Sequence, residues 1–181
     1  MINLDKKKVL ILVNHDVVIY NFRKEIVERL LKEDYEVYIS SPYGERIDDL
    51  IEMGCKYIET SIERRGINIF KELKLLLYYL KIIKQVDPDI VLSYTIKPNI
   101  YGGMASEIAN IPYIANITGL GTAVKNGGLI QRVSIILYKI AFYKVNKVFF
   151  QNEGNQIFFT NHSIATNKHR LVPGSGVNLD H

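Results

Sequence analysis

Residues Lys8–Asn14 have the sequence KVLILVN, an unbroken apolar run between a lysine and an asparagine. A strand with one wet face alternates apolar and polar residues, whereas a strand that is covered on both faces is apolar throughout. We therefore expect Lys8–Asn14 to be an inner strand of a parallel sheet with helices on both faces.

Strand-like and helix-like segments alternate along the rest of the chain. After the first strand, Asn21–Lys32 has apolar residues at helical spacing, and Asn21 is its predicted cap. Further strands are predicted at Glu36–Ser40, Lys56–Thr60, Ile90–Tyr94, Pro112–Thr118, Lys147–Asn152 and Arg170–Pro173, and further helices at Glu45–Met53, Asn68–Val86, Pro98–Asn110, Leu129–Val145 and Glu153–Asn161. This alternation predicts an α/β fold, a Rossmann-like doubly wound parallel sheet of about six or seven strands.

Length and composition are those of one soluble domain. The 181 residues are enough for a single core, and no apolar run is long enough to cross a membrane. The single cysteine, Cys55, excludes an intramolecular disulfide, and we expect a cytoplasmic protein. The net charge of +4 has no accompanying nucleic-acid-binding motif, so no nucleic-acid partner is expected.

Ligands of an open parallel sheet bind beyond the carboxyl ends of the strands, which makes the loops there candidate sites. The loop after the first strand, NHDVVIYNFR, carries Asn14, His15 and Asp16, and Arg23 follows near the predicted helix start at Asn21. An arginine near a helix N-terminus favours a phosphate or a carboxylate. A plain strand-to-helix connection does not need His15 and Asp16, which favours a functional role for them.

Two more strand-end loops carry polar groups or glycines. The loop YTIKPN holds Lys97 and Asn99, and Lys97 stands just before a predicted helix, where an anion would compensate its charge. The loop NITGLGT holds Thr118, Gly119 and Gly121, whose backbone N–H groups can approach a ligand oxygen, although a simple turn explains this loop nearly as well.

Several motifs of other enzyme classes are missing from the sequence. There is no G-x-G-x-x-G after the first strand, no Walker motif and no G-x-S-x-G. No His, Cys and carboxylate residues have the spacing of metal ligands, so neither a metal nor an organic cofactor is expected.

Two predicted helices combine basic residues with a broad apolar face. They are Asn68–Val86, with Lys71, Lys74, Lys81 and Lys84, and Leu129–Val145, with Arg132, Lys139 and Lys144. The pattern suits helices that lie on an anionic membrane surface, but it also suits helices that pack on a sheet and turn their lysines to water. Sheet packing is the favoured interpretation, and peripheral membrane attachment remains the alternative.

Five segments together resemble one known family. They are NHDVVIYNFR (14–23), SYTIKPNIYGGMAS (93–106), IANITGLGT (114–122), KVFFQNEGN (147–155) and LVPGSGVNLD (171–180). In this order they resemble the bacterial family-4 glycosyltransferases of capsule, O-antigen and glycan assembly. The strongest resemblance is to enzymes that extend undecaprenyl-diphosphate-linked sugars with a hexose or an N-acetylhexosamine.

The resemblance implies a GT-B fold, in which two Rossmann-like domains face a cleft. The N-terminal domain of such an enzyme takes the lipid-linked acceptor, and the C-terminal domain holds the nucleotide-sugar, which is a co-substrate. Transfer retains the anomeric configuration and needs no metal. By this resemblance residues 1–173 are the acceptor domain and residues 174–181 begin the linker to a donor domain that the sequence lacks. We therefore expect this chain alone to be inactive.

The resemblance also selects residues that face the acceptor or the cleft. They are Asn14, His15, Asp16, Arg23, Lys97, Asn99, Thr118, Gly119 and Gly121. We expect the acceptor's diphosphate near Arg23 and Lys97, and His15 and Asp16 near the reacting hydroxyl. Many relatives have a histidine where Tyr94 and Thr95 stand and glycines where His15 and Asp16 stand, so the catalytic residues stay unassigned.

Two alternatives remain open for the function. A nucleotide-sugar 2-epimerase shares the GT-B architecture, and a non-catalytic acceptor-binding subunit would complete its cleft with a second chain. The segments GGMAS, TGLGT and PGSGV, taken as a set, favour the transferase. For a transferase of this kind the expected location is the cytoplasm, with attachment to the inner face of the plasma membrane as the open alternative.

Overall fold

The computed structural model describes residues 6–62, 68–121, 124 and 127–176. Its strands are β1 (Lys8–Leu12), β2 (Glu36–Ser41), β3 (Lys56–Glu59), β4 (Ile90–Tyr94), β5 (Tyr113–Ile117), β6 (Lys147–Phe150) and β7 (His169–Leu171). Its helices are α1 (Val17–Lys32), α2 (Ile47–Glu52), α3 (Ile69–Val86), α4 (Gly103–Ala109), α5 (Gly128–Ala141) and α6 (Glu153–Asn161). A π-helical turn, Pro98–Gly102, leads directly into α4, and a 3₁₀ turn, Thr166–Lys168, precedes β7.

The described strands form one seven-stranded sheet in the order β3-β2-β1-β4-β5-β6-β7. Every neighbouring pair is parallel. The strand order reverses between β1 and β4, which is the topological switch point where ligands of such sheets bind. The predicted doubly wound parallel fold is confirmed.

The apolar run of β1 is buried on both faces of the sheet, as its sequence predicts. Val9, Ile11 and Val13 belong to one core with residues of α1 and α2. Leu10 and Leu12 belong to a second core with residues of α3 to α6. Alternate residues of one strand thus serve two cores, because successive side chains of a strand point to opposite faces.

The start of α1 differs from the prediction. The helix begins at Val17 rather than at Asn21, and the carbonyl oxygen of Asp16 accepts the first backbone hydrogen bonds, from Ile19 and Tyr20. Asn21 is an exposed side chain inside the helix and caps nothing. By contrast, the predicted cap of α3 is present, since the Asn68 side chain accepts from two backbone N–H groups of the first turn.

Two kinds of feature are absent from the described residues. No helix in the described part of the chain is both long and apolar enough to cross a membrane. No group of three or more His, Cys, Asp or Glu residues within the described ranges is arranged to hold a metal ion. The predicted linker at 174–181 lies outside the described residues from 177 onward.

Candidate functional site

The loops that follow β1, β4 and β5 meet at the carboxyl edge of the sheet, because these three strands are neighbours. They enclose a cavity of about 250 Å³, which we call the switch-point cavity. It is lined by Asn14, Ile62, Thr95, Ile96, Lys97, Thr118, Gly119 and Gly121. Five of the nine residues that the sequence selects therefore line one cavity, and the other four, His15, Asp16, Arg23 and Asn99, do not.

Lys97 provides the positive charge of this cavity among its described lining residues. Its ammonium nitrogen lies 2.5 Å from Oε1 of Glu72, and the side chains of Lys97 and Glu72 are only 19% and 9% exposed. Glu72 comes from the first turns of α3, so the contact joins that helix to the loop after β4.

A second, larger cavity of about 890 Å³ adjoins the first, and we call it the α3 groove. Lys97 and Ile62 line both cavities. The charged residues of the groove are Lys71, Lys74 and Lys97 against Glu59 and Glu72. Lys97 thus stands where the two cavities join.

Thr95 lines the switch-point cavity in a strained conformation. Its φ angle is 73°, in the left-handed region that branched side chains rarely adopt. Its hydroxyl oxygen is buried and has no hydrogen-bond partner in the described structure. Strain and an unsatisfied polar atom at one cavity residue are typical of functional sites.

His15 and Asp16 form a pair beside the cavity rather than in its wall. Nδ1 of His15 lies 2.5 Å from Oδ1 of Asp16, and Oδ2 of Asp16 accepts the backbone N–H of Arg46 at 2.7 Å. Asp16 is buried, whereas the His15 side chain is 35% exposed. The backbone N–H of Val17 also lies 3.3 Å from Nδ1, so the polar contacts of the His15 ring within the described residues are at Nδ1 and not at Nε2.

Asp16 also has a structural role that the sequence does not reveal. Its carboxylate joins the loop after β1 to the loop after β2 through the Arg46 N–H group. A Cβ atom at Gly44 would clash with this carboxylate, so the close approach requires glycine there. The pair therefore has a fixed carboxylate and a more exposed imidazole, the arrangement in which a carboxylate orients a proton acceptor.

The sequence predicts that Arg23 faces an anion at the start of a helix. This prediction is wrong, because Arg23 does not lie at a helix start. Because α1 begins at Val17, Arg23 lies inside the helix and is buried, and its guanidinium stands 5.1 Å from the ring centroid of Tyr94. Tyr94 belongs to the core on the α1 side of the sheet, whereas Lys97 contacts α3, which packs on the other side. The two predicted cations therefore do not converge.

Asn99 is buried outside the lining of the cavity and connects β4 to β5. Its Oδ1 accepts from the Ser93 hydroxyl at 2.5 Å, and its Nδ2 donates to the carbonyl of Asn116 at 2.9 Å. The Tyr113 hydroxyl donates to the Asn99 carbonyl at 2.7 Å. Asn99, which lies in the π-helical turn, is buried, and these hydrogen bonds tie the turn to β4 and β5.

Sequence reasoning missed Ile62, Glu72, Thr95 and Ile96. A signal for Glu72 is present, because this acidic residue lies on the buried stripe of α3 with Leu75, Tyr79, Ile82 and Ile83. A charged residue on an apolar stripe requires a partner. No comparable signal marks Thr95, since its φ angle depends on the fold.

The helices with basic residues also expose apolar side chains. The exposed set, which we call the apolar face, is Ile69, Phe70, Leu73 and Leu77 of α3, Ile108 of α4, Leu129, Ile130, Ile136 and Ile140 of α5, and Tyr143. Phe70 and Tyr143 are 85% and 79% exposed. The favoured interpretation, that these helices bury their apolar residues on the sheet, thus accounts for only part of them.

The sheet order and the cavity at its switch point define the class, a Rossmann-like ligand-binding domain. The model of the family described as "Glycosyl transferase 4-like" matches residues 8–152, most of the chain. The chain therefore belongs to this glycosyltransferase family, as the five sequence segments imply.

One relative and two solved structures illustrate the similarity. A Campylobacter jejuni protein, N,N'-diacetylbacillosaminyl-diphospho-undecaprenol alpha-1,3-N-acetylgalactosaminyltransferase, is 32% identical over 166 residues, which are 89% of this chain and 44% of that protein. A Rickettsia africae glycosyltransferase matches with a TM-score of 0.69 at 19% identity, over 97% of this chain and 45% of that one. A Neisseria meningitidis UDP-GlcNAc 2-epimerase bound to UDP-GlcNAc matches with a TM-score of 0.62 at 15% identity, over 91% and 46%.

The chain thus spans less than half of the length of each of these proteins. The structural matches establish the fold, which is one Rossmann-like half of the GT-B architecture. At these identities they do not separate transferase from epimerase. The family and the Campylobacter relative place the chain among the transferases.

Proposed function

We propose that the chain is the acceptor-binding half of a glycosyltransferase. The whole enzyme transfers a hexose or an N-acetylhexosamine from a nucleotide-sugar to a lipid-diphosphate-linked glycan of a surface polysaccharide, with retention of configuration. Family membership supports the transferase class, and the name of the Campylobacter relative supports the acceptor class. The observation that carries the proposal is the switch-point cavity, in which strand-end loops surround one half-buried lysine.

In this proposal the acceptor's sugar occupies the switch-point cavity and its diphosphate contacts Lys97. Thr118 and the backbone at Gly119 and Gly121 also line the cavity, where they can hydrogen-bond sugar hydroxyls or phosphate oxygens. The donor sugar approaches from a C-terminal domain across the cleft. No metal or organic cofactor takes part in this scheme.

His15 orients the attacking hydroxyl or accepts its proton through Nε2 in the proposed mechanism. Asp16 supports that role because its buried carboxylate fixes the ring through Nδ1. The pair lies beside the cavity rather than in its lining. An acceptor that projects from the cavity towards the donor domain would therefore place its hydroxyl on the His15 side.

We also propose that the enzyme attaches peripherally to the inner face of the plasma membrane. The apolar face supports this, because exposed side chains as large as Phe70 and Tyr143 are costly in water and favourable at a lipid interface. Basic residues of α3 and α5 would contact anionic headgroups. A lipid-linked acceptor would then be presented to the enzyme at the surface in which it is anchored.

The decisive experiment uses the full-length enzyme with Lys97→Ala. We expect the acceptor KM to rise by about tenfold or more, as for loss of a charged hydrogen bond, while the affinity for the nucleotide-sugar stays unchanged. Lys32→Ala, which removes an exposed lysine in the last turn of α1 outside both cavities, is the matched control. The reverse result, weaker donor binding with an unchanged acceptor KM, would assign the cavity to the donor.

Two alternative functions can be tested with the same full-length protein. An epimerase would interconvert a nucleotide-sugar without any acceptor, which product analysis detects directly. A non-catalytic subunit would transfer sugar only after a separate donor-domain protein is added. For the transferase we expect the 181-residue chain alone to give no turnover, because donor and acceptor must be held together in a closed cleft.

A further inference from the structure

The contact between Lys97 and Glu72 is an ion pair that stability alone does not explain. Both side chains are largely removed from water, at 19% and 9% exposure. Taking two charges out of water carries a large penalty, which is recovered only when every polar atom of the pair is satisfied. Here Oε2 of Glu72 is buried without a hydrogen-bond partner in the described part of the chain. This oxygen therefore does not help to offset the cost of burying the carboxylate.

Tyr101, in the π-helical turn, lies beside the carboxylate, and burial together with this negative charge raises the pKa of Tyr101. The Glu72 carboxylate thus acts electrostatically on more than one neighbour, and its strongest contact is with Lys97.

The position of Lys97 indicates a role for its ion pair with Glu72. The lysine lines both the switch-point cavity and the α3 groove, and Glu72 lines only the groove. A lysine side chain is long and flexible, and without a partner it extends into water. The carboxylate restricts the ammonium group to the junction of the two cavities.

We propose that Glu72 is an internal counter-ion, a positioning residue that holds Lys97 at the junction of the cavities and is displaced from it by the diphosphate of the acceptor. This inference rests on the proposed function, since it takes Lys97 as the diphosphate contact. When a diphosphate binds, the ammonium donates to phosphate oxygens, and Glu72 remains nearby as a negative charge. That charge lowers the affinity for the anion and so favours release of the extended product.

The proposal predicts effects of different size for two substitutions of Glu72. Glu72→Gln keeps the length and the Oε1 acceptor but removes the charge, so inorganic pyrophosphate should bind about tenfold more tightly. Glu72→Ala removes the charge and the positioning contact, so the gain should be smaller or absent. A role in folding alone would lower the stability in both variants and leave the pyrophosphate affinity unchanged.

The experiment measures pyrophosphate binding to the full-length enzyme by calorimetry and by the shift of the unfolding temperature. Glu107→Gln is the matched control, because Glu107 pairs with Lys144 at 3.9 Å and lines neither cavity. Glu72→Gln combined with Lys97→Met should lose the gain, which shows that the effect passes through Lys97. We expect a gain for Glu72→Gln alone and none for Glu107→Gln.

Several outcomes would overturn the proposal. These are an unchanged or weaker pyrophosphate affinity of Glu72→Gln, an equal gain for Glu107→Gln, or a gain that survives the loss of Lys97. If Glu72→Gln does not fold, Glu72→Asp replaces it. Aspartate keeps the charge but cannot reach Lys97 as closely, so the affinity should fall several-fold, and an unchanged affinity again contradicts the proposal.

Failure of the inference is distinguishable from failure of the proposed function. If the wild-type enzyme transfers sugar to a prenyl-diphosphate-linked glycan but the Glu72 variants bind pyrophosphate normally, only the counter-ion role is wrong. If the wild-type enzyme transfers no sugar to any lipid-diphosphate acceptor, the proposed function is wrong as well.

Discussion

Thr95 lines the switch-point cavity in a conformation that is unfavourable for threonine. The variant Thr95→Gly tests whether this residue lowers the stability of the fold. Thr95 combines a φ of 73° with a branched side chain and a buried hydroxyl that lacks a partner in the described structure. If the loop needed only the left-handed conformation, glycine would be the best residue there. Threonine at this position therefore indicates that the side chain is retained for another reason.

The expected stability change of Thr95→Gly follows from these features. The left-handed conformation costs a non-glycine residue roughly 1–2 kcal/mol, and the unpaired buried hydroxyl costs about 1–3 kcal/mol. Two effects oppose this gain in stability. The glycine variant loses about 0.8 kcal/mol of hydrophobic stabilisation from the methyl group, and roughly 0.5–1 kcal/mol because its unfolded chain has more conformational freedom. The central values give a net gain of about 2 kcal/mol, which for a domain of this size raises the unfolding temperature by about 4–8 °C.

Thermal unfolding followed by circular dichroism measures this change on the chain as it stands. Thr95→Val removes the hydroxyl but keeps the strain, so its gain should come from the unpaired hydroxyl alone, about 1–3 kcal/mol. Ala165→Gly is the control for left-handed backbone away from the cavity, since Ala165 has a φ of 47°. In the full-length enzyme Thr95→Gly should raise the acceptor KM, whereas Ala165→Gly should leave it unchanged. A lower unfolding temperature for Thr95→Gly would refute the reasoning about strain.

Three more predictions concern other parts of the chain. Asn99→Ala should lower the free energy of unfolding by about 2–3 kcal/mol, because the Ser93 hydroxyl and the Asn116 carbonyl lose a buried partner. Urea unfolding measures this loss, and a loss no larger than that of Asn21→Ala would contradict the prediction. Burial raises the pKa of the Cys55 thiol to about 12, whereas the thiol of the unfolded chain ionises near pH 8.5. The free energy of unfolding should therefore fall as the pH rises above about 8.5, by at most about 1.4 kcal/mol per pH unit. Cys55→Ala should flatten this decline, and an unchanged slope would show that other groups cause it. Leu73→Ser with Leu77→Ser should reduce co-sedimentation with anionic vesicles at low salt, whereas equal binding of the wild type to neutral vesicles would contradict the electrostatic part of the membrane proposal.

The fold could be predicted from the sequence because local patterns determine it. The run KVLILVN requires cover on both faces, and the regular alternation of strands and helices allows few other topologies. The convergence of Asn14, Lys97 and Gly119 was predictable for a related reason. Their loops follow parallel strands, and the carboxyl ends of neighbouring parallel strands lie at one edge.

The roles of Asp16, Arg23 and Asn99 could not be predicted, because each depends on a contact between distant segments. Asp16 accepts from Arg46, and Arg23 packs over Tyr94. Asn99 bonds to Asn116 across two strands. A sequence pattern reveals that such residues are polar and near a strand end. It does not reveal whether their side chains turn towards a ligand or into the scaffold, since that depends on where the helices begin.

The electrostatics of the two cavities bear on how an acceptor would be held. The α3 groove balances three lysines with two glutamates among its described lining residues, and one of those lysines is already paired with Glu72. Such a site attracts a diphosphate only moderately. A membrane-anchored acceptor has a high effective concentration at an enzyme on the same membrane, so moderate affinity is sufficient for occupancy. Under the proposed function, a lysine with its own counter-ion therefore combines adequate binding of a lipid-linked acceptor with rapid release of the extended product. A soluble acceptor at low concentration would require the opposite, an uncompensated cluster of cations.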